Sequence, residues 1–202
     1  MTEAEARLWI RDAYGVSRET RLDAFVTMLR EEAARQNLVA PSTLDHIWSR
    51  HIVDSAQLLA KGSPDGRWLD VGSGAGLPGL VLALLSDAPI ELVEPRRLRT
   101  AFLERVASEL GLGNVQVKTA KVERTSGVAR TITARAVASL DMMFRICAHR
   151  ADSSTIWVLP KGRSAQSEVA EARRTWQGSF HVEPSITAPD SHIVVATGIR
   201  PR

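Results

Sequence analysis

One cysteine, Cys147, stands among 202 residues, so no internal disulfide can form and a reducing compartment fits. Five histidines beside that lone thiol show no ligand spacing, which argues against a metal site. No apolar run approaches membrane-spanning length, which argues against a membrane protein. The opening Met1–Ala6 is acidic and carries no signal-peptide pattern, so the expected location is the cytoplasm. Lysine is scarce: of 26 Lys and Arg residues, 22 are arginine. Residues 1–66 carry a net charge of −2 and residues 67–202 a net +5. Either a coding bias toward arginine or a basic face for phosphates explains this, because arginine pairs with phosphate oxygens in a fork.

What is present divides the chain in two. Residues 1–62 look like a helical extension packed on a domain of residues 63–202. Leu8, Trp9 and Ala13 suggest one apolar stripe. Ser17 is a candidate cap for a helix carrying Leu22, Phe25, Val26 and Leu29. Ser42 or Thr43 is placed to cap a third helix, from Leu44 to about Leu59. From residue 67 onward, strand and helix patterns alternate. Strands are expected at 67–72, 90–94, 114–119, 130–135 and 154–159, with helices near 78–86, 96–111, 139–149 and 164–176. That order predicts an α/β fold with a mostly parallel sheet and helices on both faces. Phe180–Val182 and Ile193–Thr197 suit an antiparallel pair at the sheet edge. Five scattered tryptophans read as core or edge anchors.

The densest signal is Trp68-Leu69-Asp70-Val71-Gly72-Ser73-Gly74-Ala75-Gly76-Leu77-Pro78-Gly79, where an apolar run meets an acid and then alternating glycines. Glycine is required where backbone must approach a ligand closely. The pattern also contains the dinucleotide motif G-x-G-x-x-G, which alone is a weak signal. Asp70, two residues ahead of Gly72, tilts it toward S-adenosylmethionine: a carboxylate there can face the methionine end of that donor but would repel a pyrophosphate. Glu94 closes the second strand and can accept both ribose hydroxyls of an adenosine; a strand-end pairing with Arg96 or Arg97 is the alternative. Val122 and Glu123, after the third strand, can meet the adenine, or can form a plain surface turn.

Several separated motifs then occur in one order: Asn37-Leu38, Arg50-His51-Ile52-Val53-Asp54-Ser55, the glycine turn, Arg135-Ala136 with Ser139-Leu140, and Lys161-Gly162. From about residue 20 onward the chain resembles the bacterial 16S ribosomal RNA guanine-N7 methyltransferases, the glucose-inhibited division protein B family. The resemblance implies a Rossmann-like methyltransferase fold with a helical N-terminal extension, S-adenosylmethionine as cofactor, and 16S ribosomal RNA or the small ribosomal subunit as partner of a monomer. It implies a donor site of Gly72, Ser73, Gly74, Gly76 and Leu77, with Asp70, Glu94, Val122, Glu123 and Arg135. It assigns Arg135 and Lys161 to the catalytic pocket. Glu94 stands where the family often has Asp, Lys121 where it has Arg, and Val39 where a hydroxyl residue is common.

Guanine N7 carries an in-plane lone pair and no proton, so its methylation needs alignment and no general base. Amine methylation would call for an Asn/Asp-Pro-Pro-aromatic motif where this chain reads Arg135-Ala136-Val137-Ala138. Cytosine C5 transfer would need a cysteine nucleophile, and Cys147 sits among Phe144, Ile146 and Ala148, a core pattern. The guanine must come from a loop or be flipped out. Arg135 can stack on it or bond its O6. Lys161 and Arg163 can hold flanking phosphates, and Arg96, Arg97, Lys121 and Asn37 extend the candidate RNA surface. His51 and Asp54 share a helix face and either line the pocket or tie the extension to the sheet. An NAD-dependent oxidoreductase and a non-catalytic ribosome-associated protein are the competing readings.

Overall fold

A computed structural model describes residues 1–202. Seven strands form one sheet in the order β3-β2-β1-β4-β5-β7-β6. They are β1 (Trp68–Val71), β2 (Ile90–Val93), β3 (Val115–Lys118), β4 (Thr131–Thr133), β5 (Ile156–Lys161), β6 (Trp176–Pro184) and β7 (His192–Pro201). The first five pair in parallel; β7 runs antiparallel between β5 and β6. The expected α/β sheet with an antiparallel C-terminal edge is therefore present. The edge strands are longer than Phe180–Val182 and Ile193–Thr197, because each ladder continues past the apolar residues that mark them in sequence.

Helices α1 (Glu3–Tyr14), α2 (Val16–Ala33), the short α3 (Val53–Ala56), α4 (Gly79–Leu85), α5 (Arg97–Glu109), α6 (Leu140–Cys147) and α7 (Ala165–Thr175) cover the two faces. Successive strand residues feed opposite cores. Trp68 joins the cluster that holds α2, α4 and the N-terminal residues Ile10, Leu22, Phe25 and Leu29; Leu69 joins the cluster of α6, α7 and Trp157. Trp68 and Trp157 are fully buried and Trp48 and Trp176 nearly so, as core anchors should be. No helix is long and apolar enough to cross a membrane.

The N-terminal segment departs from expectation in three places. On α1 the buried residues are Ala6 and Ile10, one turn apart, while Leu8 and Ala13 are exposed; a stripe through Leu8 and Ala13 would face away from α2. Helix α2 begins after Gly15, not Ser17, because Gly15 at φ +85° also ends α1 and turns the chain between them. Its Leu22, Phe25, Val26 and Leu29 are buried as predicted. The third helix is not one regular α-helix capped at Ser42 or Thr43. It is a 3-10 turn (Pro41–His46), a π turn (Trp48–Ile52), α3 and a second 3-10 turn (Gln57–Lys61). The Glu3 carboxylate takes the Trp48 amide at 3.0 Å and the Ser49 amide at 2.8 Å, so a residue of α1 caps this path at its middle.

Candidate functional site

The glycine turn leaves β1 at the carboxyl end of the sheet, between β2 and β4. Gly72, Gly74 and Gly76 adopt φ of +69°, +51° and +82°, in the left-handed region that side chains disfavour. The turn is tied to its neighbour strand: the Gly74 amide donates to Glu94 Oε2 at 3.0 Å, and the Arg96 amide donates to Glu94 Oε1 at 3.0 Å. Arg99 Nη1 lies 3.8 Å from the same carboxylate. Glu94 is thus paired to backbone and to Arg99, not to the side chains of Arg96 or Arg97.

A cavity of about 470 Å³ opens above this turn. Four strand ends, one N-terminal residue and Ile146 of α6 wall it. The β1 end contributes Gly72, Ser73, Gly74 and Leu77, the β2 end Glu94, Arg96 and Arg99, and the β3 end Lys121, Val122 and Glu123. Arg135, Ala136 and Val137 follow β4, and Leu38 comes from the helical segment. Gly72 packs so closely that a Cβ there would lie 2.7 Å from Val137 Cγ2. Glycines that a side chain would strain or fill, beside a buried carboxylate, fit the backbone approach and ribose contact that an adenosine-bearing methyl donor needs.

Not every expected residue reaches this cavity. Asp70 is 1% exposed and lies behind the turn, where Oδ2 takes the Gly79 amide at 3.1 Å and Oδ1 has no partner. Burial pushes its carboxyl up to about 7, partly offset by that bond and by the charge of Arg135. Gly76 also sits below the cavity, against Leu80. The Asn37 side chain is exposed, and its neighbour Leu38 does the lining. Arg97 is exposed outside the wall, and Arg163 pairs with Asp190 at 2.6 Å on the surface.

Arg135 is the hinge of the arrangement. Its Nη1 is 3.0 Å from His51 Nδ1 and 3.6 Å from Asp54 Oδ2. Burial lowers the Arg135 guanidinium from its usual value, and the charges of Asp54 and Asp70 work in the other direction. The His51–Asp54 pair therefore ties the extension to the sheet through Arg135. Beyond the Arg135–Val137 wall a second cavity of about 590 Å³ is lined by Asp54, Ser139, Lys161, Glu168 and His192 among others. Lys161 does not point freely into it: Nζ donates to Ala138 O at 2.6 Å and lies 2.8 Å from Glu168 Oε2. Ala136, at φ +56°, is the one non-glycine residue with positive φ. Nothing in its sequence signals that strain, nor the approach of Val137 to Gly72, nor the place of Glu168. Cys147 is fully buried, and burial pushes its thiol up to about 12, so it is no nucleophile.

Solved structures with the same fold include a ribosomal protein L11 methylase from Lactobacillus delbrueckii subsp. bulgaricus (TM-score 0.59, 11% identity, 72% of this chain and 76% of that one). A glycopeptide N-methyltransferase complexed with S-adenosylmethionine also matches (TM-score 0.61, 10% identity, 73% of this chain and 93% of that one). Closer relatives are proteins named ribosomal RNA small subunit methyltransferase G. That of Zymomonas mobilis is 46% identical, covering 100% of this chain and 96% of its own. That of Sphingopyxis alaskensis is 49% identical, covering 97% and 86%. A sequence model described as "GidB: rRNA small subunit methyltransferase G" matches residues 18–194. Likeness at such identity along nearly the whole length reaches past the fold: the chain belongs to the GidB family, rRNA small subunit methyltransferase G.

Proposed function

We propose that this protein transfers a methyl group from S-adenosylmethionine to N7 of a guanine in small-subunit ribosomal RNA. The observation that carries the reading is the pair of cavities meeting at one wall, Arg135–Val137. One has the glycine turn and Glu94 of a nucleoside-bearing donor site; the other is polar and open to a base. The donor, when bound, supplies an electrophilic sulfonium methyl. Gly72, Ser73, Gly74 and Leu77 hold its chain, Glu94 accepts its ribose hydroxyls, and Val122 and Glu123 meet its adenine. Asp70 acts through the turn, by holding the Gly79 amide at the start of α4. Arg135 positions the acceptor at the shared wall. No general base is needed, because N7 loses no proton, and His51 Nδ1 is occupied by Arg135. Arg96, Arg97 and Lys121, all exposed at or near the mouth, meet RNA phosphates.

Labelled S-adenosylmethionine is incubated with small ribosomal subunits from cells lacking the enzyme, and label is mapped by strand cleavage specific for N7-methylguanine. Label at a single guanine supports the reading. Donor binding without label in the subunit, or label at an amine or carbon, defeats it.

A further inference from the structure

Two carboxylates wall the second cavity, and their hydrogen bonds separate them. Asp54 Oδ1 is full, accepting from Gln57, Ser185 and Thr187, and its Oδ2 faces the Arg135 guanidinium at 3.6 Å. Glu168 is placed differently. Its Oε2 takes the Leu140 amide at 3.1 Å and faces Lys161 Nζ, while Oε1 takes only the Ser164 hydroxyl at 2.8 Å. A carboxylate offers about four acceptor positions, so one stays open on Oε1. The Lys161 ammonium has three protons: one goes to Ala138 O, one points to Glu168, and one is open. Burial works to raise the Glu168 carboxyl, but bonds from Lys161 and Ser164 outweigh it and hold it below its ordinary value. Glu168 is therefore ionised and can only accept. His192 is on the same wall, and its Nδ1 is buried without a partner.

An open donor and an open acceptor, on two groups held together by a 2.8 Å contact between Nζ and Oε2, complement one purine edge. Guanine offers an acceptor, O6, next to a donor, N1–H. Adenine reverses both, with an amino donor at C6 and an acceptor at N1, which would set donor against donor at Lys161 and acceptor against acceptor at Glu168. We infer that the Lys161–Glu168 pair determines base specificity, Lys161 donating to O6 and Glu168 accepting from N1–H, with the base seated in the second cavity and its N7 toward the Arg135–Val137 wall. The inference rests on the guanine-N7 reading above. It gives Lys161 the base in place of a backbone phosphate.

The test uses small subunits rebuilt on ribosomal RNA with guanosine, inosine or 2-aminopurine riboside at the methylated position. All three retain N7. Inosine keeps O6 and N1–H; 2-aminopurine lacks both and accepts at N1. Rates are measured for the natural protein and for Glu168→Gln, and the loss is compared base by base, which cancels differences in N7 nucleophilicity. Glu168→Gln should lower kcat/KM at least about tenfold on guanosine and inosine but no more than about twofold on 2-aminopurine, because a glutamine amide can donate to N1. Glu168→Asp, which keeps the charge and withdraws the acceptor, should show the same base-dependent loss. Equal losses on all three bases in both variants would overturn the inference and leave Glu168 as a cap of α6. So would loss of donor affinity matching the loss of rate. Absence of N7 label with the natural protein would instead defeat the underlying reading.

Discussion

Arg135 Nη1 lies 3.0 Å from His51 Nδ1, although 84 residues separate the two in sequence. A guanidinium only donates, so Nδ1 is the acceptor and the proton of the neutral ring sits on Nε2, 2.9 Å from Thr43 Oγ1. Burial first, and then the charges of Arg135 and Arg50, push His51 down to about 4. The irregular N-terminal path therefore supplies a fixed, neutral acceptor for the arginine at the wall between the two cavities.

His51→Ala leaves a partly buried guanidinium proton without that acceptor, a loss of about 1.5–3 kcal/mol for a charged hydrogen bond. Methyl transfer should fall at least about tenfold in kcat/KM while donor affinity stays within about twofold. His51→Gln, whose side-chain oxygen can accept, should recover part of the rate. Equal activity of the alanine variant and the natural protein would show that Arg135 does not need His51.

Two groups, one buried and one partly buried, give stability opposite dependences on pH. His51 titrates near 6.5 when unfolded and near 4 when folded, so between these values the unfolded chain binds more protons and stability rises with pH. Asp70 titrates near 3.8 unfolded and near 7 folded, so across that window the folded chain binds more protons and stability falls as pH rises. Each contributes a slope of at most about 1.4 kcal/mol per pH unit. Asp70→Asn should unmask a stability that climbs from pH 4 to 6.5, and His51→Gln one that declines over the same range. Denaturant titrations at half-unit pH steps would check both signs.

Gly72→Ala must hold a side chain at φ +69° and lodge its Cβ 2.7 Å from Val137 Cγ2. The left-handed conformation alone costs about 1–2 kcal/mol. Donor affinity, followed by calorimetry, should drop about tenfold or more. Gly113→Ala, where φ is ordinary and nothing lies within 4 Å of the added Cβ, is the control and should leave affinity unchanged.

The guanidinium of Arg150 is fully buried, its Nη2 3.1 Å from each oxygen of Glu91, which is 2% exposed. Glu91→Gln leaves that charge without its counterion and should destabilise the fold by about 3–5 kcal/mol. Glu91 lines neither cavity of the site, so donor affinity of the folded fraction should not change. A melting temperature within 2–3 °C of the natural protein, roughly 1 kcal/mol for a chain of this size, would refute this.

Arg96 and Arg97 are exposed at the start of α5. If they meet RNA phosphates, Arg97→Ala should reduce the slope of log affinity for the small subunit against log salt by about 0.7–0.9. An unchanged slope would remove Arg97 from the RNA surface.

Much was legible in the sequence because it is local. The alternation of apolar runs and turn residues locates every strand, since side-chain period and burial are set within a few residues. The glycine turn is readable because positive φ restricts which residue can stand there, at Gly72, Gly74 and Gly76 alike. Glu94, Val122 and Arg135 follow from it as strand ends at one edge of a parallel sheet.

Other features required the fold. Glu3 reaches across from α1 to cap the Trp48–Ser49 amides, which is why the third helix is irregular. Asp70 stands next to the glycines in sequence yet lies behind them in space, because alternate residues of β1 face opposite cores and its neighbour Leu69 takes the other side. Lys161 is a strand-end lysine by sequence, but Ala138 and Glu168 already share its ammonium, and their approach depends on α6 and α7 packing side by side. Composition and periodicity alone determine which residues can reach the carboxyl edge of this sheet. Which of them face a cavity, and with hydrogen-bonding capacity to spare, is decided by contacts between segments far apart in the chain, and those exist only once it has folded.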